Sequence, residues 1–185
     1  MSATRELPMP IVAQLSSLQQ AEATLLHCWS RLLRLQSGSP SSASTPQSPI
    51  SPTEDRSLYR VWLEQWEVAF TAFLSNTMAS MTDNDVRYSR ILKANHLGCT
   101  ILASDAGLAS ASTFEAESLA IIELAGAVLR SQHSSDSPQD AKVNEKGPVL
   151  NTRLSVREPL GVVVSKCYKP SIRTRAGELL TRYPQ

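Results

Sequence analysis

The chain has 185 residues, with 18 Lys and Arg against 17 Asp and Glu for a net charge of +1. That length suits one domain able to bury roughly two-thirds of its unfolded surface. The charge balance excludes a general coat for nucleic acid or anionic lipid. Apolar residues make up 42%, aromatics 5%, and there are 26 serines, so part of the chain is expected to stay unfolded. No run reaches the roughly 18 apolar residues of a membrane span, and Met1–Gln20 lacks the apolar run of a signal peptide. The expectation is a soluble, intracellular protein. Cys28, Cys99 and Cys167 are too few and too scattered for a disulfide framework or a zinc module, and are expected to be reduced.

After a flexible N-terminus at residues 1–16, the first helix is predicted over Leu18–Gln36. Leu18, Ala21, Leu25, Trp29 and Leu32 recur there at three- and four-residue steps, and Ser17 with Gln20 has capping-box spacing. Residues 37–54 read as a disordered linker, because Ser37–Thr53 holds seven Ser and four Pro with Ile50 as its one large apolar residue. A second helix is predicted from near Asp55 to about Asn76. It carries Tyr59, Trp62, Trp66, Phe70 and Phe73 at helical spacing, with Leu58, Leu63 and Leu74 beside them, and is read as a core helix rather than a ligand box.

Thr82, followed by Asp83 and Asp85, supplies a cap and first-turn acids for a third helix over Asp83–Ala103. Its apolar surface is assigned to Val86, Ile91, Leu92, Leu97, Ile101 and Leu102. A break at Asp105-Ala106-Gly107 precedes a fourth helix from near Thr113 to Arg130, with Ser112 and Glu115 at capping-box spacing and Leu119, Ile122, Ala125, Val128 and Leu129 on one face. Residues 131–148 read as a second disordered linker.

Leu150–Gln185 holds seven Arg or Lys and two Glu, a local +5. Val162-Val163-Val164 has strand propensity, yet Leu160, Val163, Val164 and Cys167 fall at helical steps. With no second strand to pair with, Pro159–Cys167 is read as helix. Pro170 opens a last short helix ending before Pro184, with Ile172, Ala176, Leu179 and Leu180 inward and Arg173, Arg175 and Arg182 outward. The fold class is therefore an all-α, irregular array of about five or six helices over residues 17–184.

Several residues carry metal or catalytic chemistry in principle. His96 and Cys99 are three apart on one helix face, but two ligands do not close a zinc site and Asp105 is too far along to be a clear third. Both are read as packing residues, and the consecutive His27 and Cys28 as core-edge residues. With His27, His96 and His133 as the three histidines, no Gly-x-Ser-x-Gly elbow and no His-Glu-x-x-His, there is no motif for a hydrolase. Seven scattered glycines form no phosphate cradle. Glu115, Glu117 and Glu123 are read as a solvated face favoured by the helix dipole. Thr45-Pro46, Ser48-Pro49 and Ser51-Pro52 offer proline-directed phosphorylation sites. Catalytic, cofactor and metal residues are accordingly expected to be none, and no enzyme is expected.

The order of the pieces carries a resemblance. Leu18–Leu33, then Tyr59-Arg60-Val61-Trp62-Leu63-Glu64-Gln65-Trp66-Glu67-Val68-Ala69-Phe70, then Ile91-Leu92-Lys93-Ala94-Asn95-His96-Leu97 through Ile101-Leu102, resembles the C-terminal regulatory region of fungal binuclear zinc cluster transcription factors. Pro159-Leu160, Lys166-Cys167-Tyr168-Lys169-Pro170-Ser171-Ile172-Arg173, Ala176, Leu179-Leu180 and Tyr183-Pro184 resembles that family's tail, where a Cys and a basic-Pro pair precede an Arg-x-x-Ala-x-x-Leu-Leu helix. The family's DNA-binding module needs six cysteines in two Cys-x-x-Cys halves, and this sequence has none of that spacing. The family also usually continues past the position of Gln185 with Arg-Glu-Gly and a Trp. The resemblance implies a nuclear transcription regulator, or the detached regulatory region of one, controlling a secondary-metabolite pathway. Without the cluster it would act through protein partners, a related transcription factor or a coactivator, rather than by direct DNA binding. The alternative is an accessory protein of a biosynthetic gene cluster or an inactive truncated remnant.

Overall fold

The computed structural model describes residues 9–36, 52–104, 114–134 and 153–182. Six α-helices run through them: α1 Leu18–Gln36, α2 Pro52–Thr77, α3 Asp83–Ala103, α4 Glu115–Ser134, α5 Arg157–Lys166 and α6 Pro170–Arg182. A 3₁₀ turn at Met78–Ser80 follows α2. The fold is all-α, with no strand among the described residues, and the Val162–Val164 run lies inside α5. None of the described helices is long and apolar enough to cross a membrane.

The helix ends follow from local hydrogen bonding. The Ser17 hydroxyl accepts the Gln20 N–H at 3.1 Å, while Gln20 Oε1 reaches back to the Ser16 N–H at 2.8 Å, so the expected box closes one residue early. At α3 the box is complete: the Thr82 hydroxyl accepts from the Asp85 N–H, and the Asp85 carboxylate accepts the Thr82 N–H at 3.0 Å. Ser155 serves α5, its Oγ accepting the Arg157 N–H at 3.1 Å and donating to Glu158 at 2.6 Å. Pro52 and Pro170 open α2 and α6, where a missing N–H costs nothing.

Two boundaries differ from the sequence reading. Helix α2 begins at Pro52 and α4 continues to Ser134, so residues 52–54 and 131–134 are helical rather than linker. The rest of both linkers lies outside the described residues, as does the Ser112 cap. Residues 9–16, expected to be flexible, lie against the helices: Val12 and Leu15 are buried, and Trp62 Nε1 donates to the Pro10 carbonyl at 2.8 Å.

Helix α3 is the centre of the array. It contacts α1, α2, α4 and α5, while α6 packs on α4 and α5. Its burial runs round the whole helix, taking in Tyr88, Leu92, Ala94, Asn95, His96, Cys99, Ile101 and Leu102, which is why its apolar residues do not fall into one stripe. The aromatic face of α2 packs inward, with Tyr59, Trp62, Trp66 and Phe70 buried, but Leu58 faces outward at 68% exposure. On α4, Ile121 joins Ile122, Ala125 and Val128 in the core, whereas Leu119 is exposed.

Gly98 sets how closely α1 and α5 approach α3. A Cβ there would meet the Trp29 ring at 2.9 Å and Pro159 Cβ at 3.2 Å. Neither neighbour is the end of a flexible chain, so the helices themselves must move apart. Gly98→Ala is therefore expected to destabilise the protein by about 1–3 kcal/mol despite its better helix propensity. Urea denaturation checks this, and an unchanged or raised midpoint would contradict the packing account.

Candidate functional site

Two polar clusters are built into the sides of α3. The first is centred on Glu22, which sits four residues after Leu18 on the apolar stripe of α1 and is buried. Its Oε2 accepts from the Tyr88 hydroxyl of α3, and its Oε1 accepts the backbone N–H groups of Arg153 at 2.6 Å and Leu154 at 3.0 Å. Asn95 adds a parallel tie, its amide donating to the Ile91 carbonyl at 2.9 Å and to the Ser155 carbonyl at 2.7 Å. Burial, and then the Glu22 carboxylate beside it, push the Tyr88 phenol well above its ordinary value, so it stays a donor. This cluster joins α1, α3 and the chain entering α5, with Asn95 Oδ1 its buried atom without a hydrogen-bond partner.

The second cluster lies on the side of α3 that faces α2. The His96 ring stacks on Trp66 with centroids 5.0 Å apart, and Trp66 stacks in turn on Phe70 at 4.6 Å. Trp66 Nε1 donates to the Thr24 hydroxyl at 3.1 Å, which fixes the indole and so the stack. His96 Nε2 lies 3.0 Å from the Leu63 carbonyl, so Nε2 carries the proton of the neutral ring. His96 Nδ1 lies 3.3 Å from Glu67 Oε2, and the other Glu67 oxygen accepts from the Lys93 ammonium.

Of these residues Leu63, Glu67 and His96 line a cleft of about 660 Å³ between α2, α3 and the start of α4. Leu63, Val68 and Phe114 give it apolar walls, and Arg60, Glu64, Glu67, His96, Thr100 and Glu117 its polar groups. Size and lining match a small-molecule site.

The structure separates the residues that the sequence grouped. His96 turns toward α2, whereas Cys99 is fully buried beside Cys28 of α1. Burial, and then the neighbouring thiol, push the Cys99 thiol well up, so it is an unreactive core group. No three His, Cys, Asp or Glu among the described residues are placed to share a metal ion. Glu115 and Glu123 lie at the surface, paired with Lys169 at 2.5 Å and Arg175 at 2.8 Å. Glu117 departs from the expected solvated face: its Oε2 is buried in the cleft without a hydrogen-bond partner. Arg173, Arg175 and Arg182 are exposed on α6, as read from the sequence. Asp105, the side chain of His133, and the Thr45, Ser48 and Ser51 sites lie outside the described residues.

Sequence reasoning passed over Glu22 and Glu67, and read Glu117 as solvated. Glu22 had a signal, a carboxylate four residues from Leu18 and three from Leu25 on an otherwise apolar face. Glu67 had none, because one turn of α2 beyond Leu63 is as compatible with solvent as with a cleft.

Glu22→Ala would strip the acceptor from a tyrosine and two backbone N–H groups at once, with an expected cost on the order of 4 kcal/mol, against about 2 kcal/mol for Tyr88→Phe, which leaves one buried carboxylate oxygen without its donor. Denaturant titration of both variants checks the ratio. For His96, burial is the largest effect and lowers its proton affinity. The Leu63 carbonyl and Glu67 oppose that, and Lys93 adds to it. The folded protein thus binds this proton more weakly than the unfolded chain. Stability should be complete above the ordinary imidazole value of about 6.5 and decline as pH falls below it. Urea midpoints at pH 7.5 and pH 5.5 measure this, and His96→Gln should flatten the difference.

No family model, curated protein or solved structure matches the chain significantly.

Proposed function

We propose that this protein is a nuclear transcription regulator of the fungal zinc cluster type, or the regulatory region of one. In this reading it is not an enzyme, serves a secondary-metabolite pathway, and works through a protein partner rather than by reading DNA. The sequence resemblance supplies the class.

One structural observation supports the mechanism. Leu58, Val61 and Val68 stand outward on α2 at three- and seven-residue steps, 68%, 54% and 71% exposed, with Ile11 beside them at 92%. A groove of about 580 Å³ runs along this face, lined by Ile11, Val12, Val61, Gln65, Val68 and Glu64 among others. An apolar stripe of that length on a fully formed helix suits a partner's amphipathic helix, and Glu64, the charged group in the groove, calls for Lys or Arg at its edge. The related factor or coactivator is expected to present such a helix.

Disruption of the gene should lower transcripts of one biosynthetic pathway. Complementation with Val61→Asp/Val68→Asp should fail, although the variant reaches the nucleus at wild-type level with an unchanged helical spectrum, because exposed substitutions rarely shift stability by more than about 0.5 kcal/mol. Full complementation by the double variant, or tight sequence-specific gel shifts by the chain alone at physiological salt, would overturn the proposal.

A further inference from the structure

The cleft between α2, α3 and α4 is short of hydrogen-bond donors. With Nε2 committed to the Leu63 carbonyl, His96 Nδ1 is a bare acceptor, and it faces a second acceptor, Glu67 Oε2, at 3.3 Å. Neither atom has a hydrogen-bond partner, and Glu117 Oε2, on the α4 side of the cleft, is a third buried acceptor without one. The His96 side chain is 7% exposed yet lines the cleft, so this is no solvated ring that water would satisfy. Native proteins fill nearly all such positions, and among the described residues three of the unfilled ones, Glu67 Oε2, His96 Nδ1 and Glu117 Oε2, belong to side chains that line this one cleft, while His27 Nε2, Asn95 Oδ1 and Ser118 Oγ lie elsewhere.

Charge points the same way. Glu64, Glu67 and Glu117 line the cleft against Arg60, and the nearby Lys93 is already bound to Glu67. These three buried acceptors do not form a group placed to share one metal ion. What fits is a larger cation with N–H donors on more than one atom.

We propose that the cleft binds an amidinium- or guanidinium-bearing organic cation. Its apolar body lies against Leu63, Val68 and Phe114, and its planar head donates to Glu67, Glu117 and His96 Nδ1. The Glu67 side chain is 35% exposed, so its carboxylate turns toward an incoming head without unpacking α2. Paired N–H donors on a planar cation make charge-assisted bonds to carboxylates, stronger than neutral ones. The proposal rests on Glu67, His96 and Glu117 and not on the partner-binding reading, although Glu64 and Val68 border both this cleft and the groove on the outer side of α2.

The probe is benzamidine, compared with its near-isosteric neutral and anionic counterparts, benzamide and benzoate, titrated into the full chain and followed by backbone amide NMR. Benzamidine should give saturable shifts confined to residues 60–68, 96–100 and 114–118 and should raise the thermal midpoint. Benzamide should bind at least about tenfold more weakly, and benzoate not at all. Glu117→Gln and Glu67→Gln should each weaken benzamidine about tenfold, while Val61→Asp, on the outer face of α2, should not. No saturation by benzamidine at concentrations up to about 10 mM, equal shifts from all three probes, shifts scattered over the surface, or undiminished affinity in both Gln variants would each overturn the proposal. The three-probe comparison on the wild-type chain decides the matter even if a variant fails to fold.

Discussion

Helix α3 is enclosed by α1, α2, α4 and α5, so the polar side chains on its inward faces have to find their partners inside the protein. Tyr88 finds Glu22, Asn95 finds the Ser155 carbonyl, and His96 finds the Leu63 carbonyl. Each bond contributes about 1 kcal/mol net, but a buried group left unpaired costs about 1–3 kcal/mol, so the wrong neighbour is penalised more than the right one is rewarded. The three pairs thus work as registration marks. They fix where α1, α2 and the chain entering α5 stand along α3, a position that leucine and valine contacts would tolerate sliding through.

Gly98 sets the remaining coordinate, distance. The Trp29 ring and Pro159 close on α3 where it has no side chain, and this brings α1 and α5 near enough for Glu22 to meet the Arg153 and Leu154 N–H groups. Close packing and hydrogen-bond registration are therefore one constraint seen from two directions. The carboxylate reaches those amides while the helices sit this near, and the helices gain from sitting this near because the carboxylate is buried and must be filled.

Much of the fold was legible in the sequence, because helices on the surface of a core carry a 3.6-residue apolar period. Leu18 through Leu32 of α1 and Tyr59 through Phe70 of α2 could be assigned to the interior from spacing, and Thr82 with Asp85 marked the start of α3. The period fails for a helix surrounded on all sides. Asn95 and Gly98 look like interruptions in a sequence window, and their roles follow from the neighbours they meet, Ser155 and Trp29, some 60 and 70 residues away in the chain. The cleft was illegible for the same reason. Glu67, His96 and Glu117 come from three helices, and nothing in the spacing within any one of them tells that their polar atoms gather at one site.

The two polar clusters of α3 contain the same kinds of groups but differ in how they are completed. Around Glu22 both carboxylate oxygens are filled, one by a tyrosine and one by two backbone amides, and of the neighbouring Asn95 only Oδ1 is left without a partner, so the cluster's bonds hold helices together. Around His96 the count of acceptors exceeds the count of donors, and the excess lies against a cleft with apolar walls. An incomplete network inside a protein carries a standing free-energy cost, and evolution could have removed this one by placing leucine at residue 117 or glutamine at residue 67. Both oxygens of the buried Glu22 are filled, whereas Glu67 Oε2, Glu117 Oε2 and His96 Nδ1 are left without donors beside a cleft, and that contrast between two polar clusters on one helix is the physical ground of the ligand proposal made for the cleft.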